Sequence, residues 1–135
     1  MKGVETLTDA AILLARVGLG AVFVAHGWQK FFTLGLGRVG EQFAAYGVPQ
    51  PQVTVAVVAG VELIAGIALI AGILTPLAGI LLGVDMAGAF YFVHATHGPF
   101  TTQNGWELVV ALGVGSLLVA AVGAGRFSVD RVLGG

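Results

Sequence analysis

Apolar residues gather in four long runs along this chain, and polar residues are confined to the short stretches between them. The runs extend over residues 8–32, 53–74, 76–95 and 105–124. A hydrocarbon layer about 30 Å thick is crossed by about 20 apolar residues in helical form, so each run is long enough to span it. The pattern predicts an all-α, integral membrane four-helix bundle with both termini on the same side. It also predicts one domain, a single four-span unit over residues 1–135.

The punctuation agrees with this division. Thr8 and Asp9 suit the N-cap of the first span. Thr75 and Pro76 mark a tight turn between the second and third. His97, Gly98 and Pro99, then Asn104 and Gly105, bracket the third connection, and Gly123 and Gly125 end the fourth span. In the longest connection, residues 33–52, Val39, Phe43 and Tyr46 recur at helical spacing. A short interfacial helix between spans one and two explains that spacing, and an ordinary polar loop is the alternative.

Composition narrows the class further. Of 135 residues, 57% are apolar before the 22 glycines are counted, and 10% are charged. Soluble domains carry about 25% charged residues, so a soluble enzyme is a poor reading. Six Lys and Arg against seven Asp and Glu leave no basic stripe, so no nucleic acid is expected as a partner. The chain has no cysteine, which excludes disulfides, thiol redox chemistry and cysteine-ligated iron–sulfur clusters within it. No haem or flavin signature is present, and no metal site is assigned. His94, His97 and Glu107 could be brought to one metal, but their spacing is not distinctive. Arg16 interrupts the first run and Lys30 closes it without a small-residue cleavage site, so the segment reads as a retained span rather than a signal peptide.

Against this background the charges inside the spans stand out. Arg16, Glu62 and Asp85 each lie within a run, where an unpaired charge costs several kcal/mol, from about 3 to over 10. Helix rise of about 1.5 Å per residue puts Arg16 roughly 12 Å, Asp85 roughly 14 Å and Glu62 roughly 18 Å from the side of the termini. The expectation is a buried polar cluster in which Arg16 bridges Asp85 and Glu62, serving either as a register lock or as a proton relay.

A second group approaches the opposite face. His26 and Lys30 end the first span, His94 and His97 end the third, and Asn104, Trp106 and Glu107 begin the fourth. Imidazoles titrate near neutrality and both donate and accept hydrogen bonds. His26, Lys30, His94, His97, Trp106 and Glu107 are therefore the candidate ligand-binding residues, and a quinone head group is the candidate ligand. Trp28, Phe31, Phe32, Tyr91, Phe92 and Trp106 could wall such a pocket or form the ordinary interfacial belt. No residue is assigned a catalytic role. Lys2, Arg126 and Arg131 on one side against Lys30 and Arg38 on the other bias the termini toward the cytoplasm of a cell membrane. Small residues at four-residue spacing, such as Gly79 and Gly83, suit close helix packing within the bundle or in a homo-oligomer.

Several ordered motifs carry a family likeness. The first span holds Arg16 and Gly18, then His26-Gly27-Trp28-Gln29-Lys30. The connection holds Phe43, Tyr46, Gly47, Val48 and Pro49. The second span holds Gly60, Glu62 and Gly66, followed by Gly72, Thr75 and Pro76. Asn104-Gly105-Trp106-Glu107 opens the fourth, and Arg126, Ser128, Asp130 and Arg131 follow it. This set resembles the DoxX family of small four-span membrane proteins, and the resemblance covers nearly the whole chain. By that resemblance Arg16, Gly27, Lys30, Gly47, Pro49, Glu62, Glu107 and Asp130 match the family pattern, while Asp85, His94 and His97 match it less clearly. The family takes its name from an archaeal quinol-oxidase system and is related to the DoxD-type subunit of thiosulfate:quinone oxidoreductase. Some bacterial members are described as partners of superoxide dismutase and a sulfurtransferase in oxidative-stress complexes.

The resemblance implies a membrane subunit of a quinone-linked oxidoreductase or oxidative-stress system, taking electrons from a partner. One alternative is a non-enzymatic membrane scaffold that anchors soluble redox enzymes. Another is a small proton-coupled transporter, for which four spans without an internal repeat are few.

Overall fold

The computed structural model describes residues 1–134, and Gly135 lies outside them. Helix α1 covers Lys2–Trp28 and continues through a π-helical turn at Gln29–Thr33. Helix α2 is Leu36–Ala45 and α3 is Pro51–Ala71. Helix α4 is Thr75–Ala89, extended by a second π-helical turn at Phe90–His94. A short 3₁₀ turn at Thr101–Gln103 precedes α5, Glu107–Val122, and α6 is Val129–Val132. Among the described residues there is no strand.

Lys2–Thr33, Pro51–Ala71 and Thr75–His94 are each long and apolar enough to cross a membrane. Helix α5 is apolar but has 16 residues, about 24 Å of rise. Its ends are covered by chain that folds inward, with Gly105 and Ala124 both buried. Helix α1 packs on α3, α3 on α4 and α4 on α5, and α5 closes more loosely on α1. Phe23, Leu69, Leu82, Leu112 and Val119 fill the interior.

Glycine sets the two tight seams. Lipid is as apolar as a leucine side chain, so helices in a membrane associate through close packing rather than through burial from water. A Cβ at Gly20 would sit 2.6 Å from the Gly66 carbonyl oxygen, and one at Gly27 would sit 2.7 Å from the Leu63 nitrogen. The Gly20–Gly66 and Gly27–Leu63 approaches fix the antiparallel register of α1 on α3. On the other seam a Cβ at Gly79 would sit 2.6 Å from the Ser116 carbonyl oxygen, and Gly83 faces Leu117. The Gly79 and Gly83 face is therefore used inside the bundle and does not offer a surface to a second copy.

One local expectation needs correction. Thr8 and Asp9 do not cap α1, which begins at Lys2. Thr8 Oγ1 instead donates to the Val4 carbonyl one turn back. The Asp9 carboxylate accepts from the backbone N–H of Arg126 at 3.1 Å and ties the chain after α5 to α1. That contact also puts the two terminal segments at one end. The stretch between the first two spans does contain a helix, α2, which rests on α3 with Val39 and Gly40 buried.

The α3–α4 turn is a C-cap in which Gly72, at φ +73°, donates to Ala68 and Leu69, and Ile73 donates to Ala68. This is the hydrogen-bond pattern of a glycine-terminated helix. Pro76 then sits in the first turn of α4, where its missing N–H costs nothing.

Candidate functional site

The polar residues divide between the two ends of the bundle. At the terminal end Arg16 is 1% exposed, and it does not bridge Glu62 and Asp85. Its Nε donates to the Leu69 carbonyl at 3.0 Å and its Nη2 to Ile70 at 3.1 Å. Its Nη1 donates to Ala124 at 2.7 Å and Phe127 at 2.9 Å. A guanidinium presents its donors in a fixed fork. Here the fork joins the last turn of α3 to the chain leaving α5.

The same knot involves Asp130, which accepts from the N–H of Leu74 at 2.8 Å and of Thr75 at 3.0 Å. Ser128 caps α6 by accepting from the Arg131 N–H. Partial burial raises the Asp130 carboxyl, but the hydrogen bonds from Thr75 and Leu74, with Arg16 nearby, outweigh it and hold the group below its ordinary value.

Arg16 misses the acids because of register. It is level with Leu69 and Ile70, and Glu62 lies seven residues before Leu69 on α3, about 10 Å away in rise. A count along the chain measures each helix from its own end, whereas packing sets Arg16 level with Leu69, two residues from the end of α3.

At the other end Lys30 takes the place expected of Arg16. Its Nζ donates to Glu62 Oε1 at 2.6 Å, and this is the single ion pair among the described residues. Lys30 lies in the π-helical turn that extends α1, and its long side chain reaches back toward the interior. Asp85, on α4, faces Glu62 and Lys30. Glu62 and Asp85 are brought together because each lies about ten residues from the same turn. The Asp85 Oδ2 is buried and has no hydrogen-bond partner among the described residues.

A cavity of about 720 Å³ opens over this group and includes Lys30, Glu62, Asp85, His26 and His94 in its wall. Phe23, Met86, Phe92 and Leu112 contribute apolar surface. The Nδ1 of His26 donates to the Val22 carbonyl at 2.8 Å, and that of His94 donates to the Asn104 carbonyl at 2.7 Å. A carbonyl can only accept, so in each neutral ring Nε2 is left as an acceptor.

The remaining candidates lie elsewhere. His97 is exposed and does not line the cavity. Trp106 packs edge-on against Phe90, with ring centres 6.4 Å apart, beside the core. Glu107 accepts from the Thr101 N–H at 3.0 Å and its hydroxyl at 2.9 Å, which shapes the loop before α5. Three side chains that could hold the ligand therefore come from the expected set, His26, Lys30 and His94. They join two from the expected buried cluster, Glu62 and Asp85. The pairing of Lys30 with Glu62 was missed. Its signal was the seven-residue spacing of Gly20 and Gly27, which places α1 against α3 and Lys30 beyond the level of Glu62.

Residues 11–95, well over half of the chain, match the family model described as DoxX. The chain belongs to the DoxX family. It is also 31% identical over 134 residues to an uncharacterized protein of Haemophilus influenzae, covering 97% of this chain and 96% of that one. No solved structure matches it. The DoxX match runs from α1 through the π-helical turn after α4, and so holds Arg16, His26, Lys30, Glu62, Asp85 and His94. Glu107 and Asp130 lie beyond it.

Proposed function

We propose that this DoxX protein is the membrane subunit of a quinone-linked oxidoreductase system, and that the cavity above Lys30, Glu62 and Asp85 takes the quinone head group. The observation that carries the reading is the meeting of one ammonium, two carboxyl groups and two imidazoles in a largely apolar pocket. Ligand sites commonly have about 300–1,000 Å³ and a few convergent polar groups on apolar walls.

Quinone reduction takes up two electrons and two protons at the ring oxygens. The electrons come from a partner protein, because this chain's own groups are acids and bases. Lys30 donates a hydrogen bond to one carbonyl oxygen, and an imidazole Nε2 accepts from the quinol hydroxyl once the ring is reduced. Two carboxylates beside one ammonium would leave a negative charge unbalanced in a water-poor site. Glu62 and Asp85 therefore hold one proton between them and pass it to one ring oxygen, and once re-protonated they pass the second to the other. The carboxyl pair regains its proton from the loop face, where Thr101 and Asn104 line the cavity.

Lys2, Arg126 and Arg131 gather at the terminal end and support placing it on the cytoplasmic side of a cell membrane. A short-tailed ubiquinone analogue titrated into the detergent-solubilised protein tests the reading. Saturable binding that is lost in Lys30→Met and Asp85→Asn is expected, and an unsaturable response sinks it.

A further inference from the structure

We infer that the ligand carries a long apolar tail and enters from within the bilayer, through a side opening between α3 and α4. This rests on the quinone reading and adds the route and the tail to it.

The opening follows from how the helices pack. Helices α1 and α3, and α4 and α5, are drawn together by glycines whose Cβ atoms would collide with the facing helix. The α3–α4 pair has no such seam and packs less closely. Its members are held by the turn at Gly72 and by Asp130 at the terminal end, and they part toward the other face.

Val57 and Val61 on α3, with Leu81, Val84 and Gly88 on α4, all line the cavity. Val57 is 58% exposed and Val84 is 65% exposed. Each is on the outside of a spanning helix, where the surroundings are lipid rather than water, so the cavity reaches the bilayer there. A Cβ at Gly88 would meet nothing within 4 Å. This glycine does not serve helix contact, and its lack of a side chain keeps the mouth wide.

The occupant follows from what the two ends of the cavity offer. The floor is charged, and the mouth is a strip of valine and leucine with no polar side chain. A free polar metabolite would leave that strip unfilled and would not approach through hydrocarbon. A polar ring with an isoprenoid or alkyl tail satisfies both ends, with the ring at Lys30 and Asp85 and the tail along Val61 and Val84. Each buried methylene of the tail adds about 0.8 kcal/mol of transfer free energy.

Two quinones with the same head group, one tail-less and one with a decyl tail, are titrated into the solubilised protein and into Gly88→Phe. Val57→Phe narrows the mouth from α3 as a second variant. Gly18→Phe, on an open face of α1 away from the cavity, is the control. The expected result is tighter binding of the tailed quinone in the unsubstituted protein, weakened by about tenfold or more in both mouth variants. Tail-less binding and the Gly18→Phe control stay within about twofold. Equal binding of the two quinones, or tailed binding unchanged in both mouth variants, overturns the side opening and leaves the quinone reading standing. Absence of binding by either quinone in the unsubstituted protein overturns both.

Discussion

The two ends of the bundle use polar residues in opposite ways. Around Arg16 the guanidinium nitrogens donate to four carbonyls, and Asp130 takes the N–H groups of the adjoining turn. Around Asp85 an oxygen has no partner, two imidazoles keep an unused nitrogen, and a cavity stands open. The charged groups around Arg16 and Asp130 are paired, with the buried Thr75 hydroxyl left over, and that arrangement reads as architecture. Unmet capacity that close to a cavity is costly to maintain, and it persists where a ligand completes it. Burial by itself would have ranked Arg16 first as a functional residue, and hydrogen-bond satisfaction reverses that ranking.

The contrast can be broken most forcefully at Arg16. Arg16→Met leaves four carbonyls without their donor and should cost about 3–5 kcal/mol, the range for losing one partner of a buried charged contact. Thermal unfolding in detergent would show it. Arg16→Lys should recover little, because one ammonium cannot reach both sides of the fork.

At the cavity end, Glu62→Gln alone strands Lys30 and should destabilise by about 1–3 kcal/mol, given the partial exposure of the lysine. The double variant Lys30→Met with Glu62→Gln should regain much of that loss without regaining quinone binding, a coupling measurable by a double-mutant cycle. If binding returns with stability, the pair is architecture as well.

Asp130→Asn exchanges one acceptor oxygen for an amide and should cost about 1 kcal/mol, as for a lost helix cap. Its lowered native value gives a sign. The stabilisation is present above the ordinary aspartate value of 3.8 and is lost as pH falls through the lower native one. The acid limb of the unfolding curve should flatten in the variant. Asp85→Asn should move stability least among the buried groups, within about 1 kcal/mol, while abolishing ligand binding. The smallest difference separates two histidines: His94→Ala should weaken ligand binding, and His97→Ala should change neither binding nor stability.

Much of the fold was legible before the structure. The positions of the apolar runs, the break at Thr75 and Pro76 and the helical spacing in Val39, Phe43 and Tyr46 all follow from local chemistry. The two π-helical turns did not announce themselves, and they matter, because Lys30, Phe92 and His94 lie on them. A π turn changes the direction of the side chains beyond it, which a period of 3.6 residues does not anticipate. Glu107 and Trp106 looked like site residues because they begin a span beside histidines. The loop from Gly98 to Gly105 turns Glu107 back onto Thr101 instead.

The chain's residues alone decide that it lies in a membrane and which few charges are costly there, since these depend on counts and on distance along a helix. Which charges meet is decided by assembly. Rotation about each axis and the register set by Gly20, Gly27 and Gly66 carry Arg16 to the level of Leu69 and let Lys30 reach Glu62. Depth is a one-dimensional quantity readable from the chain, whereas pairing also needs the azimuth and offset that only packed helices define.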